Sequence, residues 1–242
     1  MKKVLFLDFD GVLFDTLREV YVVNRAIYNG ISLFDKIDET NYKLYYKYKY
    51  LVYNIYMFLY FNPLIFENVQ EEKIIESYQK ALLNRDLKKE EEFCTKFLNI
   101  RKDLVENHYD FWEKLEVPYD FFFAIKEISK KVDVVIASKK NKESIIKRFL
   151  SYDFHLNENQ IFAREALDKY QTKADFLAKY MEEKGYSEAL FVDDNSNNLT
   201  PCKKYPQIKT ILASWGNIAP EDKGLDEKET IEEINKFFNF WT

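Results

Sequence analysis

Four short runs of apolar residues mark the chain. They are KVLFLDF (3–9), VDVVIAS (132–138), ALFVDD (189–194) and IKTILAS (208–214). Each is rich in Val, Ile, Leu and Phe, a composition typical of strands that are buried on both faces of a parallel sheet. Helical patterns lie between the later runs, as NKESIIKRFLSY and TKADFLAKYMEEKG. This alternation predicts an α/β core of the Rossmann-like, parallel-sheet type.

The segment between the first two runs has a different pattern. From 17 to 117 the apolar residues recur at helical spacing, and no strand is predicted there. One of its helical stretches is DETNYKLYYKYKYLVYNIYMFL, whose tyrosines are interpreted mainly as core packing. We therefore predict an all-helical domain at 17–117, inserted in a core made of 1–16 and 118–242. The pattern ETIEEINKFFNFW predicts a final amphipathic helix packed on that core.

Composition narrows the class of protein. The 242 residues are 47% hydrophobic and 32% charged, as in globular proteins, and the net charge of −5 gives no reason to expect a nucleic-acid partner. The most membrane-like stretch, 51–66, contains two Asn and a Pro and is shorter than the roughly 20 residues of a span. We expect it to be a buried helix, with no membrane partner. Two distant cysteines favour a reducing, cytoplasmic location.

Two carboxylates end the first apolar run. Asp8 and Asp10 are separated by one residue, so an extended strand places both on the same side. Like charges so close together repel each other unless a positive group lies between them. Gly11 follows directly and permits a tight turn of the backbone. The stretch therefore predicts a charged site rather than an ordinary buried strand end.

Further polar side chains follow the later runs. Ser138 ends the second run, Asp193 and Asp194 end the third, and Lys173 begins the helix before it. Open α/β sheets bind ligands at the carboxyl ends of their strands, so these side chains and Asp8 are expected at one edge. Two simpler interpretations remain open. Ser138 could cap the next helix, and Asp193 with Asp194 could form an exposed acidic turn.

The order of these motifs resembles that of the haloacid dehalogenase (HAD) superfamily, over roughly 1–16 and 118–215. The resemblance implies phosphoryl transfer, with Asp8 as the nucleophile that forms an aspartyl-phosphate and Asp10 as the general acid and base. Members that cleave carbon–halogen bonds lack the second acid, so Asp10 favours phosphate chemistry. An insertion after the first motif is, in this family, a helical cap that closes over the site.

The resemblance also implies a phosphate-binding set and a Mg²⁺ site. The phosphate-binding residues would be Gly11, Ser138, Lys139 and Lys173, with Lys169 as the alternative to Lys173. The Mg²⁺ ligands would be Asp8, the backbone carbonyl of Asp10, and Asp194, with Asp193 beside them. The chain departs from the family at two places. Lys139 and Lys140 separate the serine from Asn141, and Asn198 stands where many relatives carry an acid.

We therefore expect a Mg²⁺-dependent phosphatase that acts on a small phosphorylated metabolite, as a monomer or a weak homodimer. A phosphomutase would use the same core residues but shield the aspartyl-phosphate from water. A non-catalytic binding protein on the same scaffold is a third possibility, because of the departures at SKKN and Asn198. No motif in the predicted cap indicates which phosphate ester is bound.

Overall fold

The structure, a computed structural model, describes residues 2–240. Met1, Trp241 and Thr242 lie outside the described residues, so the end of the predicted C-terminal helix is not covered. The described chain divides into two compact units. One is Thr16–Glu116, and the other comprises the segments on either side of it.

Strands occur in the unit formed by the two flanking segments. They are β1 (Lys3–Leu7), β2 (Phe14–Asp15), β3 (Val117–Pro118), β4 (Asp133–Ala137), β5 (Ile161–Phe162), β6 (Glu188–Asp193) and β7 (Ile208–Leu212). Five of them form a parallel sheet in the order β5-β4-β1-β6-β7. β2 and β3 form a separate antiparallel pair. The central strand is thus β1, whose carboxyl end leads directly to the two predicted carboxylates.

Helices occur in both units. Those of Thr16–Glu116 are α1 (Leu17–Asn29), α2 (Glu39–Tyr48), α3 (Phe58–Phe66), α4 (Ile74–Leu82), α5 (Leu87–Asn107) and α6 (Tyr109–Trp112). Those of the α/β unit are α7 (Asp120–Ile128), α8 (Lys142–Leu150), α9 (Arg164–Leu167), α10 (Lys173–Lys184), α11 (Ser196–Leu199) and α12 (Glu227–Phe238). Every regular element at 16–116, a range that the structure describes in full, is a helix or a short 3₁₀ turn.

Alternate residues of β1 pack on opposite faces of the sheet. Leu5 and Leu7 belong to one buried cluster, together with side chains of α7, α8 and α12. Val4 and Phe6 belong to a second, with side chains of α10. All four are fully buried, which explains why the run is continuously apolar rather than alternating. The predicted parallel α/β class is confirmed.

The prediction was wrong in two places. β2, β3 and β5 were not predicted, because a two-residue strand is too short for periodicity to reveal. The long tyrosine-rich pattern was expected as one helix, but α2 ends at Tyr48 and two 3₁₀ turns, Lys49–Leu51 and Ile55–Met57, precede α3. Asn54 between these turns has an extended backbone, which ends the helical hydrogen bonding. Among the described residues, no helix is both long and apolar enough to cross a membrane.

The interior of Thr16–Glu116 combines aromatic packing with buried polar pairs. Tyr42, Tyr45 and Tyr48 are buried in its core, as the interpretation of the tyrosine-rich stretch required. The Arg101 Nε donates to Glu19 Oε1 at 2.6 Å, and both side chains are buried. Breaking a buried ion pair of this kind is strongly destabilising. The pair therefore holds α1 and α5 in one packing arrangement.

Candidate active site

Asp8 stands at the carboxyl end of β1 and is nearly enclosed. Its amide donates to the carbonyl of Val192 at 3.0 Å, which continues the pairing of β1 with β6 for one residue. Its Oδ1 accepts a hydrogen bond from the amide of Phe9 at 2.7 Å, and its Oδ2 accepts one from Lys173 Nζ at 2.6 Å. Only 8% of the residue is exposed. Both carboxylate oxygens are therefore held in fixed positions.

Lys173 lies between two buried carboxylates. Its Nζ is 2.6 Å from Asp8 Oδ2 and 2.8 Å from Asp193 Oδ2. The lysine is the first residue of α10, and Thr172 caps that helix by accepting from the amide of Asp175. The cap fixes the start of α10 and therefore the place from which the lysine reaches the sheet edge. Lys169, the alternative, is exposed.

Asp193 ends β6 and is fully buried. Besides Lys173, it accepts hydrogen bonds from the amide of Asn195 at 2.9 Å and from Asn198 Nδ2, which lies 3.0 Å from each of its oxygens. A carboxylate at position 198 could not donate these bonds, whereas an amide can. Asn198, the departure from the family pattern, thus holds the Asp193 side chain in place beside Lys173.

Asp194 is enclosed by the backbones of two loops. Its Oδ2 accepts a hydrogen bond from the amide of Asn217 at 2.7 Å. A Cβ atom added at Gly11 would lie 2.5 Å from Asp194 Cγ, and one added at Gly216 would lie 2.8 Å from Asp194 Oδ2. Gly11 also has a φ of +76°, in the left-handed region. Gly216 was not predicted, because nothing in the pattern around it distinguishes it from an ordinary turn glycine.

Three carboxylates converge at this edge. Asp8, Asp193 and Asp194 each offer an oxygen, and these oxygens all lie within 4.8 Å of one another. Burial raises the pKa of the Asp8 carboxyl to about 7. The positive charge of Lys173 opposes this rise, and Asp193 adds a smaller upward effect on the same pKa. One buried ammonium, that of Lys173, lies against two of the three carboxyl groups, Asp8 and Asp193. Carboxylate oxygens in this arrangement suit a hard divalent cation such as Mg²⁺.

Ser138 follows β4 and is buried. Its amide donates to the carbonyl of Phe162 at 3.0 Å, and its Oγ accepts from the amide of Lys140 at 3.4 Å. Asn141 caps α8 by accepting from the amide of Ser144 at 2.7 Å, so the alternative interpretation of Ser138 as that cap is wrong.

Lys139 remains exposed over much of its surface. Partial burial of its amine lowers its pKa, and the positive charge of Lys173 lowers it further. Lys139 therefore stays a predicted phosphate-binding residue, and its side chain is exposed rather than buried.

A contact that was not predicted joins Lys140 to Asp10. Lys140 Nζ lies 3.3 Å from Asp10 Oδ1. The lysine side chain is 1% exposed and that of Asp10 is 36% exposed. The departure from the family pattern at SKKN was the available signal, but that signal did not show which of the two lysines turns inward.

Similarity to known proteins was found only in three-dimensional structure. No family model and no curated protein matches the chain. A haloacid dehalogenase-like hydrolase from Streptococcus pneumoniae is 11% identical, with 98% of each chain covered and a TM-score of 0.54. A HAD-superfamily hydrolase of subfamily IA from Geobacter sulfurreducens is 14% identical, with 96% of each chain covered and a TM-score of 0.53.

A third similar structure, described as a predicted phosphatase, comes from Clostridium acetobutylicum. It is 13% identical, its TM-score is 0.54, and the match covers 98% of this chain and 99% of the other. The protein therefore has the haloacid dehalogenase-like fold, as its motifs predicted. At these identities the likeness establishes the fold alone.

Proposed function

We propose that the protein is a Mg²⁺-dependent phosphatase that hydrolyses a small phosphate monoester through an aspartyl-phosphate. The observation that carries the proposal is the pair of acids after the central strand. Asp8 is buried against Lys173, whereas Asp10, two residues later, is partly exposed. A fixed carboxylate suits a nucleophile, and an accessible one suits a group that exchanges protons with substrate and water.

The proposed reaction has two displacements at phosphorus. In the first, an Asp8 oxygen forms a bond to phosphorus as the bond to the ester oxygen breaks, and Asp10 gives its proton to that leaving oxygen. In the second, Asp10 takes a proton from a water molecule as the water oxygen attacks phosphorus. The bond to Asp8 then breaks, inorganic phosphate leaves, and both aspartates return to their starting state.

The cationic side chains would hold the transferring group. Lys173 contacts Asp8 and so lies where it can neutralise phosphoryl oxygens, with Ser138 and Lys139 at the next strand. Asp8, the carbonyl of Asp10, and Asp194 would hold Mg²⁺, which when bound supplies positive charge against the phosphoryl oxygens. Asp193 would act mainly on Lys173, since its oxygens already accept bonds from Lys173, Asn195 and Asn198.

A panel of phosphate esters, assayed for released phosphate with Mg²⁺ or with EDTA, tests the proposal. We expect hydrolysis only with the metal, and Asp8→Asn is expected to lower it to background. Asp35→Asn makes the same change at an exposed aspartate of the other unit, Thr16–Glu116, and should retain wild-type turnover. Full turnover by Asp8→Asn would refute the nucleophile. Conversion of a sugar phosphate into its isomer without release of phosphate would identify a mutase instead.

A further inference from the structure

A second buried lysine lies beside the proposed site. Among the described residues, Lys140 and Lys173 are the buried lysines, and only Lys173 has a role in the reaction proposed above. Lys140 Nζ lies 3.3 Å from Asp10 Oδ1 and 5.4 Å from the centroid of the Phe9 ring. Enclosing an ammonium group is costly unless charged or polar groups compensate it. The ion pair with Asp10 is one such compensation, and Asp10 is the proposed general acid.

The backbone of Lys140 is fixed on both sides. Its amide donates to Ser138 Oγ at 3.4 Å, and its carbonyl accepts from the amide of Arg164 at 3.2 Å. The next residue, Asn141, caps α8. The side chain therefore extends from an anchored position, between the end of β4 and the start of a helix.

Asp10 has a more exposed setting than Asp8. It precedes Gly11, which has a left-handed backbone, and its side chain is 36% exposed. A partly exposed aspartate can sample several rotamers unless a partner selects one. A buried ammonium on a rigid turn is such a partner, because it lies at a fixed distance and its charge strengthens the hydrogen bond.

We propose that Lys140 is a positioning residue for Asp10. Its ammonium holds the Asp10 carboxyl in one orientation, toward the leaving-group oxygen in the first displacement and toward water in the second. The inference rests on the proposed function, because only that reaction gives Asp10 a proton to deliver. The positioning of Asp10 also bears on the class of phosphate ester that the enzyme would hydrolyse. A well-positioned acid matters most for esters of strongly basic alcohols, and it matters least for esters whose leaving group departs without a proton.

The test compares two esters in one variant. Lys140→Met is assayed on phenyl phosphate, with a basic leaving group, and on 2,4-dinitrophenyl phosphate, with a weakly basic one. We expect kcat/KM for the phenyl ester to fall about tenfold more than for the dinitrophenyl ester, since general acid catalysis contributes about 10²–10⁴-fold in all. The ratio of the two constants is independent of the fraction of folded enzyme, so partial unfolding does not produce this result.

Three further variants sharpen the test. Lys142→Met makes the same change two residues along, at a partly exposed side chain paired with Glu158, and should leave the ratio unchanged. Lys140→Arg keeps a cation and should stay near the wild-type ratio. In an Asp10→Asn background, Lys140→Met should add no further loss on the phenyl ester, because two residues that act as a unit are not additive.

The outcomes separate the two proposals. An active wild type in which Lys140→Met lowers both esters equally would overturn the positioning role and leave the proposed function intact. An additional loss in the Asp10→Asn background would overturn it as well. A wild type that hydrolyses neither ester, nor any ester of the wider panel, would refute the proposed function itself and this role with it.

Discussion

Replacing Gly11 by alanine tests how closely the backbone encloses Asp194. Gly11 has a φ of +76°, and an added Cβ would overlap the Asp194 carboxylate, 2.5 Å from its Cγ. The left-handed conformation alone costs an alanine about 1–2 kcal/mol. Forcing an extra carbon into a filled site costs about 1–3 kcal/mol more. Gly11→Ala should therefore lower the free energy of unfolding by both amounts, and it should displace a proposed Mg²⁺ ligand.

Gly185 provides the matched control. It ends α10 with a φ of +70°, and a Cβ added there would meet no atom within 4 Å. Gly185→Ala therefore carries the conformational cost of about 1–2 kcal/mol without the overlap. The difference between the two variants isolates the contact with Asp194.

Urea denaturation of both variants, with and without Mg²⁺, measures this difference. We expect Gly11→Ala to unfold at lower urea than Gly185→Ala and to lose most of the stabilisation by Mg²⁺, whereas Gly185→Ala keeps it. Equal stabilities and equal responses to Mg²⁺ in the two variants would refute the reasoning that the Gly11 turn shapes the metal site.

Two other predictions concern the charges of the site. Lys173→Met leaves two carboxylates buried without their cation and should cost about 3–5 kcal/mol in urea denaturation at neutral pH without metal. Lys179→Met, at an exposed lysine of the same helix, should cost far less because water screens its ion pairs. Equal losses in the two variants would contradict the buried ion pair. In the folded protein the pKa of Asp8 is raised from 3.8 to about 7. Between these two pH values the folded state binds more protons at this group than the unfolded state does. The contribution of Asp8 to the free energy of unfolding therefore falls as pH rises through this range. Because Mg²⁺ competes with that proton, thermal unfolding should show a larger stabilisation by Mg²⁺ at pH 8 than at pH 5, and an equal shift at both would count against Asp8 as a ligand.

The parallel sheet was predictable because its three inner strands, β4, β1 and β6, are buried on both faces. β1, β4 and β6 each contain four consecutive buried apolar residues, at 4–7, 134–137 and 189–192, and a parallel arrangement brings their carboxyl ends to one edge. The clustering of Asp8 with Asp193 and Asp194 follows from that geometry. The short β5 was not predictable, since two residues give no period to measure.

Other parts of the site depend on tertiary contacts that leave no local pattern. A chain with 36 basic residues does not indicate which lysine is buried, so Lys140 could not be distinguished from Lys139. Its inward direction follows from the turn that Ser138 and Arg164 fix. Gly216 likewise gains its importance only from the approach of a distant loop to Asp194.

The small antiparallel pair of β2 with β3 has a consequence for the evolution of such a chain. Asp15 pairs with Val117, so the point where the chain leaves the α/β unit is bonded to the point where it returns. The entropy of closing the intervening segment rises only slowly with its length. Insertions, deletions or a wholesale exchange within Thr16–Glu116 can therefore accumulate while the β2–β3 pair keeps the two ends of that segment together, and β1, which leads to Asp8, keeps its pairing with β4 and β6. Selection is thereby free to diversify one part of the gene while the other stays under constraint.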